Sequence, residues 1–211
     1  MAQEQGLVGR LVGGMVRRSV RARFHTVYWS PPTTAPRHPA ILYANHHGWM
    51  DGYLMFYLIQ KLNLECVDWI QEFDSFPLFA KIGGMRYPLG DTAARAATIK
   101  RTIRLMQAGG KSLVIFPEME LQRPGPLRTF GEALSLVARK VPDVQLVPVA
   151  IRYEMSIHER PEAWLTVGEP EPWCDLDHAQ QALADLTRQE RQFQVLIEGT
   201  KDVNERFGSR K

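Results

Sequence analysis

A histidine and an aspartate five positions apart, His46 and Asp51, are the residues of this sequence whose types and spacing best suit catalysis. Gly48 lies between them and lets the backbone turn, so the intervening loop can bring the imidazole and the carboxylate together. A carboxylate that accepts a hydrogen bond from one ring nitrogen fixes the tautomer of the histidine and leaves the other nitrogen free as a base. Such a pair can deprotonate an alcohol.

The same spacing also fits a structural role. Asp51 could cap a helix that begins at this point, and His46 could be an ordinary hydrogen-bonded loop residue. Because the chain has 6 histidines, chance alone gives roughly 0.3 such pairs in a sequence of this size. The spacing by itself therefore leaves both interpretations open.

Three further motifs accompany this pair: FPE at residues 116–118, GGMRYP at 83–88 and VPV at 147–149. Together with NHHGWMD at residues 45–51, in this order and at these separations, they resemble the lysophospholipid acyltransferase family, which includes the 1-acylglycerol-3-phosphate acyltransferases. The resemblance covers residues 38 to 168 and rests chiefly on the NHxxxxD and FPE motifs.

The resemblance implies an O-acyltransferase that moves a fatty acyl group from a thioester of coenzyme A or of acyl carrier protein to a hydroxyl of a lysophospholipid or another lipid acceptor. It implies that His46 is the general base, that Asp51 orients it, and that no covalent acyl-enzyme forms. The sequence agrees, since it has no GxSxG nucleophile motif and neither cysteine has an obvious histidine partner. We expect no cofactor and no metal-binding residues.

The resemblance also implies a set of residues that bind the substrates, namely Asn45, Gly84, Arg86, Glu118 and Arg123. Glu118 matches the glutamate of the family's FPEGTR block, where the family implies a role in binding the acceptor or in ordering the site. Arg86 and Arg123, with Arg128 nearby in sequence, could supply positive charge to an anionic substrate or could be ordinary surface arginines.

The sequence departs from the family where arginines are usual. Met119, Glu120 and Leu121 replace the glycine, threonine and arginine of the FPEGTR block, and Leu89 stands in place of the arginine of the second block. An arginine fork is the favoured bidentate partner of a phosphate, so these losses argue against a lysophosphatidic acid acceptor. We expect a hydroxyl on something other than a simple phosphoglycerol, such as a glycolipid or another lipid alcohol.

Hydrophobic periodicity predicts the elements that must position these residues. The predicted strands lie at residues 24–29, 40–44, 64–70, 112–116, 144–151 and 163–167, and the predicted helices at 6–22, 51–62, 91–108, 129–139 and 176–206. Alternating strands and helices predict an α/β fold, a single-domain mixed sheet flanked by helices like that of the glycerolipid acyltransferases. We expect an N-terminal helix over residues 1–23 and an acyltransferase domain over residues 24–211.

The N-terminal helix is amphipathic and basic, since residues 1–30 carry five arginines against one glutamate. Such a helix can lie in the headgroup plane of an anionic membrane, or it can pack on its own domain. No apolar run is long enough to span a bilayer, and the N-terminus lacks the features of a signal peptide. We therefore expect a cytoplasmic protein that is peripheral on the inner face of the membrane.

The apolar residues of segments 49–59 and 73–79 could line a slot for an acyl chain or could simply be core. Two other functions stay open: a membrane-associated lipid-binding protein with degraded catalysis, and a metal-dependent hydrolase using His46, His47 and Asp51. The hydrolase lacks support from an HExxH or HxH pattern. Nucleic acid is not an expected partner, because residues 31–211 carry a slight net negative charge and no aromatic-basic platform.

Overall fold

The computed structural model describes residues 6–207, which form one mixed β-sheet with helices on both faces. In chain order, the elements are α1 (Gly6–Arg23), β1 (Thr26–Ser30), β2 (Ala40–Ala44), α2 (Asp51–Lys61), β3 (Cys66–Ile70), two 3₁₀ helices (Phe73–Ser75 and Pro77–Ile82), β4 (Gly84–Arg86), α3 (Thr92–Gln107), β5 (Ser112–Ile115), α4 (Ala133–Ala138), β6 (Gln145–Glu154), β7 (Glu162–Val167), β8 (Glu171–Pro172), α5 (Leu176–Leu186), β9 (Gln194–Glu198) and α6 (Val203–Phe207).

The strands follow the order β4-β3-β5-β2-β6-β7-β1-β9, and β8 pairs with β6. The five neighbouring strands β4, β3, β5, β2 and β6 run parallel to one another. Strand β7 is antiparallel to β6, and β1 is parallel to β7. Side chains that leave the carboxyl ends of parallel strands meet at one edge of the sheet, where ligands of open α/β sheets usually bind. The segments that follow β2 and β5 meet at this edge.

Strand β2 lies in the middle of the sheet, and all five of its residues are buried. Leu42 packs with Leu54 and Leu58 of α2 on one face of the sheet. Ile41 and Tyr43 face a second apolar cluster, to which α3, α4 and α5 contribute. A strand covered on both faces is continuously apolar, and this explains why AILYA was recognisable in the sequence.

Helix α1 presents a buried face to its own domain. Val12 and Val16 pack with Phe56 of α2 and Ile82 of the second 3₁₀ helix. Beside this buried face, large apolar side chains remain exposed at Leu7, Val8, Leu11 and Met15. The predicted helix is therefore present and packs on the domain, while its outer face keeps an apolar stripe. Within residues 6–207, no helix combines the length and the apolar character needed to cross a bilayer.

The prediction of a long or broken helix over residues 176–206 is wrong. Helix α5 ends at Leu186, and residues 194–198 form β9, which pairs antiparallel with β1 before the short α6 begins. Without β9, the outer edge of β1 would have unpaired backbone N–H and C=O groups, and β9 satisfies them. This long-range pairing outweighs the local helical preference of the segment.

Candidate active site

The six-residue loop between β2 and α2 brings His46 and Asp51 together. The Nδ1 atom of His46 lies 2.8 Å from Oδ2 of Asp51. The His46 side chain is 25% exposed, whereas that of Asp51 is completely buried. A carboxylate accepts at this distance, so Nδ1 carries the proton and Nε2 keeps its lone pair.

Asp51 does not cap helix α2. Its Oδ2 atom turns back to the loop and accepts hydrogen bonds from the backbone N–H groups of His47 at 2.8 Å and Gly48 at 2.9 Å. The N-cap position belongs to Met50, whose side chain makes no capping bond. The carboxylate therefore serves to order the loop and the His46 ring rather than the first turn of the helix.

Tyr153 of β6 is a site residue that sequence reasoning missed. Its hydroxyl donates a short hydrogen bond to Oδ1 of Asp51. Burial and the neighbouring Asp51 raise the pKa of the phenol, so Tyr153 remains a neutral donor. The loop must come close to the ring, because a Cβ on Gly48 would lie 2.5 Å from Cε2 of Tyr153. Glycine at position 48 is thus required for this contact.

The FPE motif supports the other side of the His46 loop. The ring of Phe116 stacks on that of His46, with centroids 4.3 Å apart. Oε1 of the buried Glu118 accepts a hydrogen bond from the backbone N–H of His46 at 3.2 Å, and Oε2 accepts one from the backbone N–H of Arg128 at 2.9 Å. Glu118 consequently ties the segment after β5 to the segment after β2, which is an ordering role.

Asn45, a predicted substrate-binding residue, is fully buried. Its amide donates to the carbonyl of Ile151 and accepts from the N–H of the same residue, each at 2.8 Å. The two bonds join the end of β2 to β6 and leave Asn45 outside the wall of the cavity described below. The geometry therefore gives Asn45 a positioning role.

A cavity of about 750 Å³ opens beside His46. Most of its wall is apolar, and it comes from α1, α2, β3, β5 and the two 3₁₀ helices; it includes Met15, Trp49, Tyr53, Phe56, Ile70, Phe76, Phe79, Val114 and Phe116. The two segments for which an acyl slot or simple core were both open, 49–59 and 73–79, thus meet in one cavity with His46. This volume falls within the range of about 300–1,000 Å³ usual for ligand pockets.

One acidic side chain interrupts the apolar wall. Asp68 of β3 faces the cavity, and among residues 6–207 its Oδ1 atom is buried without a hydrogen-bond partner. Burial raises the pKa of Asp68 to about 7. Nothing in the sequence pointed to this residue, because an aspartate inside a short apolar strand usually faces solvent.

Of the remaining predicted substrate-binding residues, Gly84 lines the cavity and the two arginines do not. Gly84 lines the cavity, and a Cβ there would lie 2.8 Å from Cδ1 of Ile70. Arg86 is exposed, with Nε 2.9 Å from Asp74 and Nη1 3.6 Å from Asp91. Arg123 is exposed in the loop after β5 and does not belong to the cavity wall. A substrate role for the two arginines stays a prediction.

The substituted residues of the FPEGTR-like block also have defined places. Met119 and Leu121 both line the cavity, so apolar side chains stand where the family has glycine and arginine. Met119 adopts a positive φ of 66°. A residue with a Cβ is strained in this region by about 1 kcal/mol, whereas glycine is not. Met119 thus occupies a backbone conformation that suits glycine, the residue usual in the family at this position.

The metal-hydrolase alternative is not supported by the geometry. Asp51 bonds to the ring of His46 but only to the backbone of His47. Within residues 6–207, a cluster of potential metal ligands occurs elsewhere, and His46, His47 and Asp51 do not form one.

Comparison with known proteins places the chain in a family. It matches the Acyltransferase family over residues 26–152, more than half of its length. Among solved structures it is similar to the 1-acyl-sn-glycerophosphate (LPA) acyltransferase PlsC from Thermotoga maritima, with a TM-score of 0.60 and 16% identity, over 85% of this chain and 76% of that chain. This likeness confirms the predicted fold class. No curated protein sequence matches the chain. Because the family match includes the whole segment from β1 through β5 and most of β6, the chain belongs to the acyltransferase family.

Proposed function

We propose that the chain transfers a fatty acyl group from an acyl thioester to a hydroxyl of a lipid acceptor, with His46 as the general base. The observation that carries this proposal is the position of the oriented His46 ring at an apolar cavity large enough for an acyl tail. A base beside an apolar slot is the arrangement that joining an alcohol to a fatty acid requires.

The reaction needs one proton acceptor and no covalent enzyme intermediate. Nε2 of His46 removes the proton of the acceptor hydroxyl, and the oxygen attacks the thioester carbonyl carbon. When the tetrahedral intermediate collapses, the carbon–sulfur bond breaks, and the imidazolium returns its proton to the thiolate that leaves. Asp51 stabilises the imidazolium, since its carboxylate accepts the Nδ1 proton throughout.

The acceptor that we favour is a glycolipid or another lipid alcohol rather than lysophosphatidic acid. The PlsC of Thermotoga maritima is an acyltransferase for lysophosphatidic acid. In this chain, Leu121 occupies the cavity wall where the family has a cation, and two carboxylates neutralise the charge of Arg86. A phosphate monoester would find no free guanidinium from these positions.

We further propose that the protein works while bound to a lipid surface on the inner face of the membrane. Helix α1 borders the cavity through Met15 and Val16, and its outer face carries Leu7 and Leu11, each 66% exposed. Arginines on the same helix would contact anionic headgroups. Replacing Leu11 by Ser should lower partition onto anionic liposomes about fivefold, since insertion of one such side chain contributes on the order of 1 kcal/mol. Unchanged partition in a sedimentation assay would contradict this role for α1.

The transfer proposal is tested with purified protein, labelled acyl-CoA or acyl-ACP, and a total lipid extract. We expect a labelled acyl ester, and in His46→Ala a loss of rate of about 10²–10⁴-fold. His178→Ala is the matched control, because His178 is an exposed histidine of α5 that pairs with Glu171. Its rate should match that of the wild type.

The same assay distinguishes the alternatives. Competition between lysophosphatidic acid and the neutral lipid alcohols of the extract tests the acceptor, and strong preference for lysophosphatidic acid would contradict our choice. If the wild type transfers no acyl group from either donor but still binds liposomes, the chain is a lipid-binding protein.

A further inference from the structure

Four side chains outside the active site converge on one point. They are His25 immediately before β1, His158 in the loop between β6 and β7, Asp202 before α6 and Glu205 on α6. Each offers one ligand atom, and all four atoms lie within 4.8 Å of one another. They form two close pairs, His25 Nε2 with Glu205 Oε2 at 2.9 Å and His158 Nδ1 with Asp202 Oδ2 at 3.0 Å.

The second nitrogen of each histidine ring also faces an oxygen. Nδ1 of His25 lies 3.0 Å from the hydroxyl of Thr26. Nε2 of His158 lies 3.7 Å from the carboxylate of Glu162, which is buried. When a metal-binding histidine donates its other N–H to an oxygen in this way, the lone pair of the first nitrogen points at the metal. The His25 ring therefore has the arrangement usual for a metal ligand, whereas Nε2 of His158 faces the Glu162 carboxylate at ion-pair rather than hydrogen-bond distance.

The carboxylate of Asp202 is oriented as well. Its Oδ1 atom accepts a hydrogen bond from the backbone N–H of Glu159 at 3.1 Å, and its Oδ2 atom faces His158. Glu205 accepts from the backbone N–H of Asp202 at 2.9 Å. In Asp202 the bond to Oδ1 leaves Oδ2 facing the cluster, whereas in Glu205 the same Oε2 atom accepts the backbone bond and faces His25.

The ligand types favour zinc. Two imidazole nitrogens and two carboxylate oxygens suit a tetrahedral zinc ion, whereas calcium and magnesium prefer oxygen alone. Zinc bonds of about 2.0–2.2 Å place tetrahedral ligands about 3.3–3.6 Å apart. The close pairs at 2.9 and 3.0 Å would have to open slightly, and the wider separations of up to 4.8 Å would have to contract. The two stacked rings, with centroids 3.4 Å apart, would also splay.

These movements are available to the cluster. His158 lies on a loop, and Glu205 is exposed on the short α6, so both can shift without disturbing the sheet. The two carboxylate charges would balance the charge of a divalent cation. We propose that His25, His158, Asp202 and Glu205 form a structural zinc site that joins the C-terminal segment to the start of β1.

Such a site would support the active site indirectly. Phe24, next to His25, stacks on Tyr153 with ring centroids 5.7 Å apart. Tyr153 in turn holds Asp51. A metal that fixes the start of β1 would therefore fix the ring on which Tyr153 rests, without touching substrate. No sequence motif indicates the site, because His25 and Glu205 are 180 positions apart and no zinc-binding spacing links the four residues.

The test uses the untagged full chain, treated with a chelator and dialysed, to which zinc is then added. We expect one zinc ion per chain by elemental analysis, visible absorption of a tetrahedral site after cobalt substitution, and a melting temperature about 5 °C higher with saturating zinc. His158→Ala and Glu205→Gln should lose all three signals. Glu205→Gln keeps the shape of the side chain, so its far-ultraviolet circular dichroism should stay that of a folded protein.

His178→Ala is the matched control, since His178 and Glu171 form an exposed pair with Nε2 and Oε2 3.0 Å apart and, within residues 6–207, belong to no group of three or more potential ligands. It should bind zinc like the wild type. The proposal is overturned if the wild type binds no zinc, if His158→Ala and Glu205→Gln retain it, or if His178→Ala loses it. Zinc content is measured directly, so the result does not depend on acyl transfer.

Discussion

Two aspartates beside the same cavity have opposite surroundings. Asp51 has four hydrogen-bond donors, from the His46 ring, two backbone N–H groups and the Tyr153 hydroxyl. Asp68 faces the cavity from β3, and its Oδ1 atom has no partner within residues 6–207. The protein thus surrounds Asp51, beside His46, with hydrogen-bond donors and leaves Oδ1 of Asp68 without one.

The difference has a direct electrostatic consequence. A buried carboxylate is costly to ionise, and burial raises the pKa of Asp68 to about 7, although a backbone hydrogen bond from Trp69 opposes the shift. Asp68 is therefore largely protonated below neutral pH, where it is compatible with an apolar acyl tail. Above neutral pH a charge develops in the same wall. Replacing the carboxyl group of Asp51 by an amide should therefore lower activity, whereas the same change at Asp68 should raise stability above neutral pH.

The largest effect is expected for Asp51→Asn. An amide has the shape of the carboxylate but would present an N–H group toward His46 or Tyr153, so the histidine would lose its preferred tautomer. We expect the kcat for acyl transfer to fall by about 10³–10⁴-fold. Steady-state kinetics with saturating donor measures this change. Asp68→Asn is the matched control, and an equal loss in both variants would show that the comparison is mistaken.

The second effect concerns stability and its dependence on pH. The folded-state pKa of Asp68, about 7, lies above the ordinary value of 3.8, so the folded state holds this proton more tightly than the unfolded state does. The contribution of Asp68 to the free energy of unfolding is therefore fully present at low pH and is lost as the pH rises from about 4 to 7. The loss amounts to on the order of 4 kcal/mol. Asp68→Asn should not show this pH-dependent loss. Above pH 7 the variant should therefore be more stable relative to the wild type than it is at low pH.

Urea unfolding at pH 5 and pH 8 measures this difference. In the wild type the free energy of unfolding should fall between the two values by more than in Asp68→Asn. The KM for the acyl donor should likewise rise above pH 7 in the wild type alone, because an apolar tail would cover an ionised carboxylate. If the free energy of unfolding and the KM depended on pH in the same way in both proteins, the carboxyl group of Asp68 would be in contact with water rather than buried in the apolar wall.

The sequence was most informative where contacts are local. His46 and Asp51 are five positions apart in one loop, and β2 is continuously apolar because it is covered on both faces. The apolar run was enough to predict the strand, and the spacing together with the family resemblance was enough to predict the pair. For segments 49–59 and 73–79, which could have been an acyl slot or simply core, the structure shows a shared cavity, and its use by an acyl chain stays a prediction.

The sequence was least informative where contacts join distant segments. Tyr153 meets Asp51 across 102 positions, and β9 pairs with β1 across more than 160. Neither partner carries a local signal, since a tyrosine in a strand and a short apolar segment after a helix are both common. Asp68 was missed for a related reason, because only the assembled cavity reveals that its Oδ1 atom is buried without a partner among residues 6–207.

The smallest effect tests whether the donors of Asp51 act together. Tyr153→Phe removes one donor of four and keeps the ring that stacks on Phe24. A hydrogen bond to a charged group contributes about 1.5–3 kcal/mol, but three donors remain, so we expect a fall in kcat of about tenfold with KM unchanged.

Gly48→Ala disrupts the same contact from the side of the loop, since its Cβ would lie 2.5 Å from the Tyr153 ring. If the hydroxyl acts by orienting Asp51, the double variant should be little worse than the poorer single one, because each change already breaks the same bond. Multiplied losses in the double variant would instead mean that Tyr153 and the loop act on His46 separately.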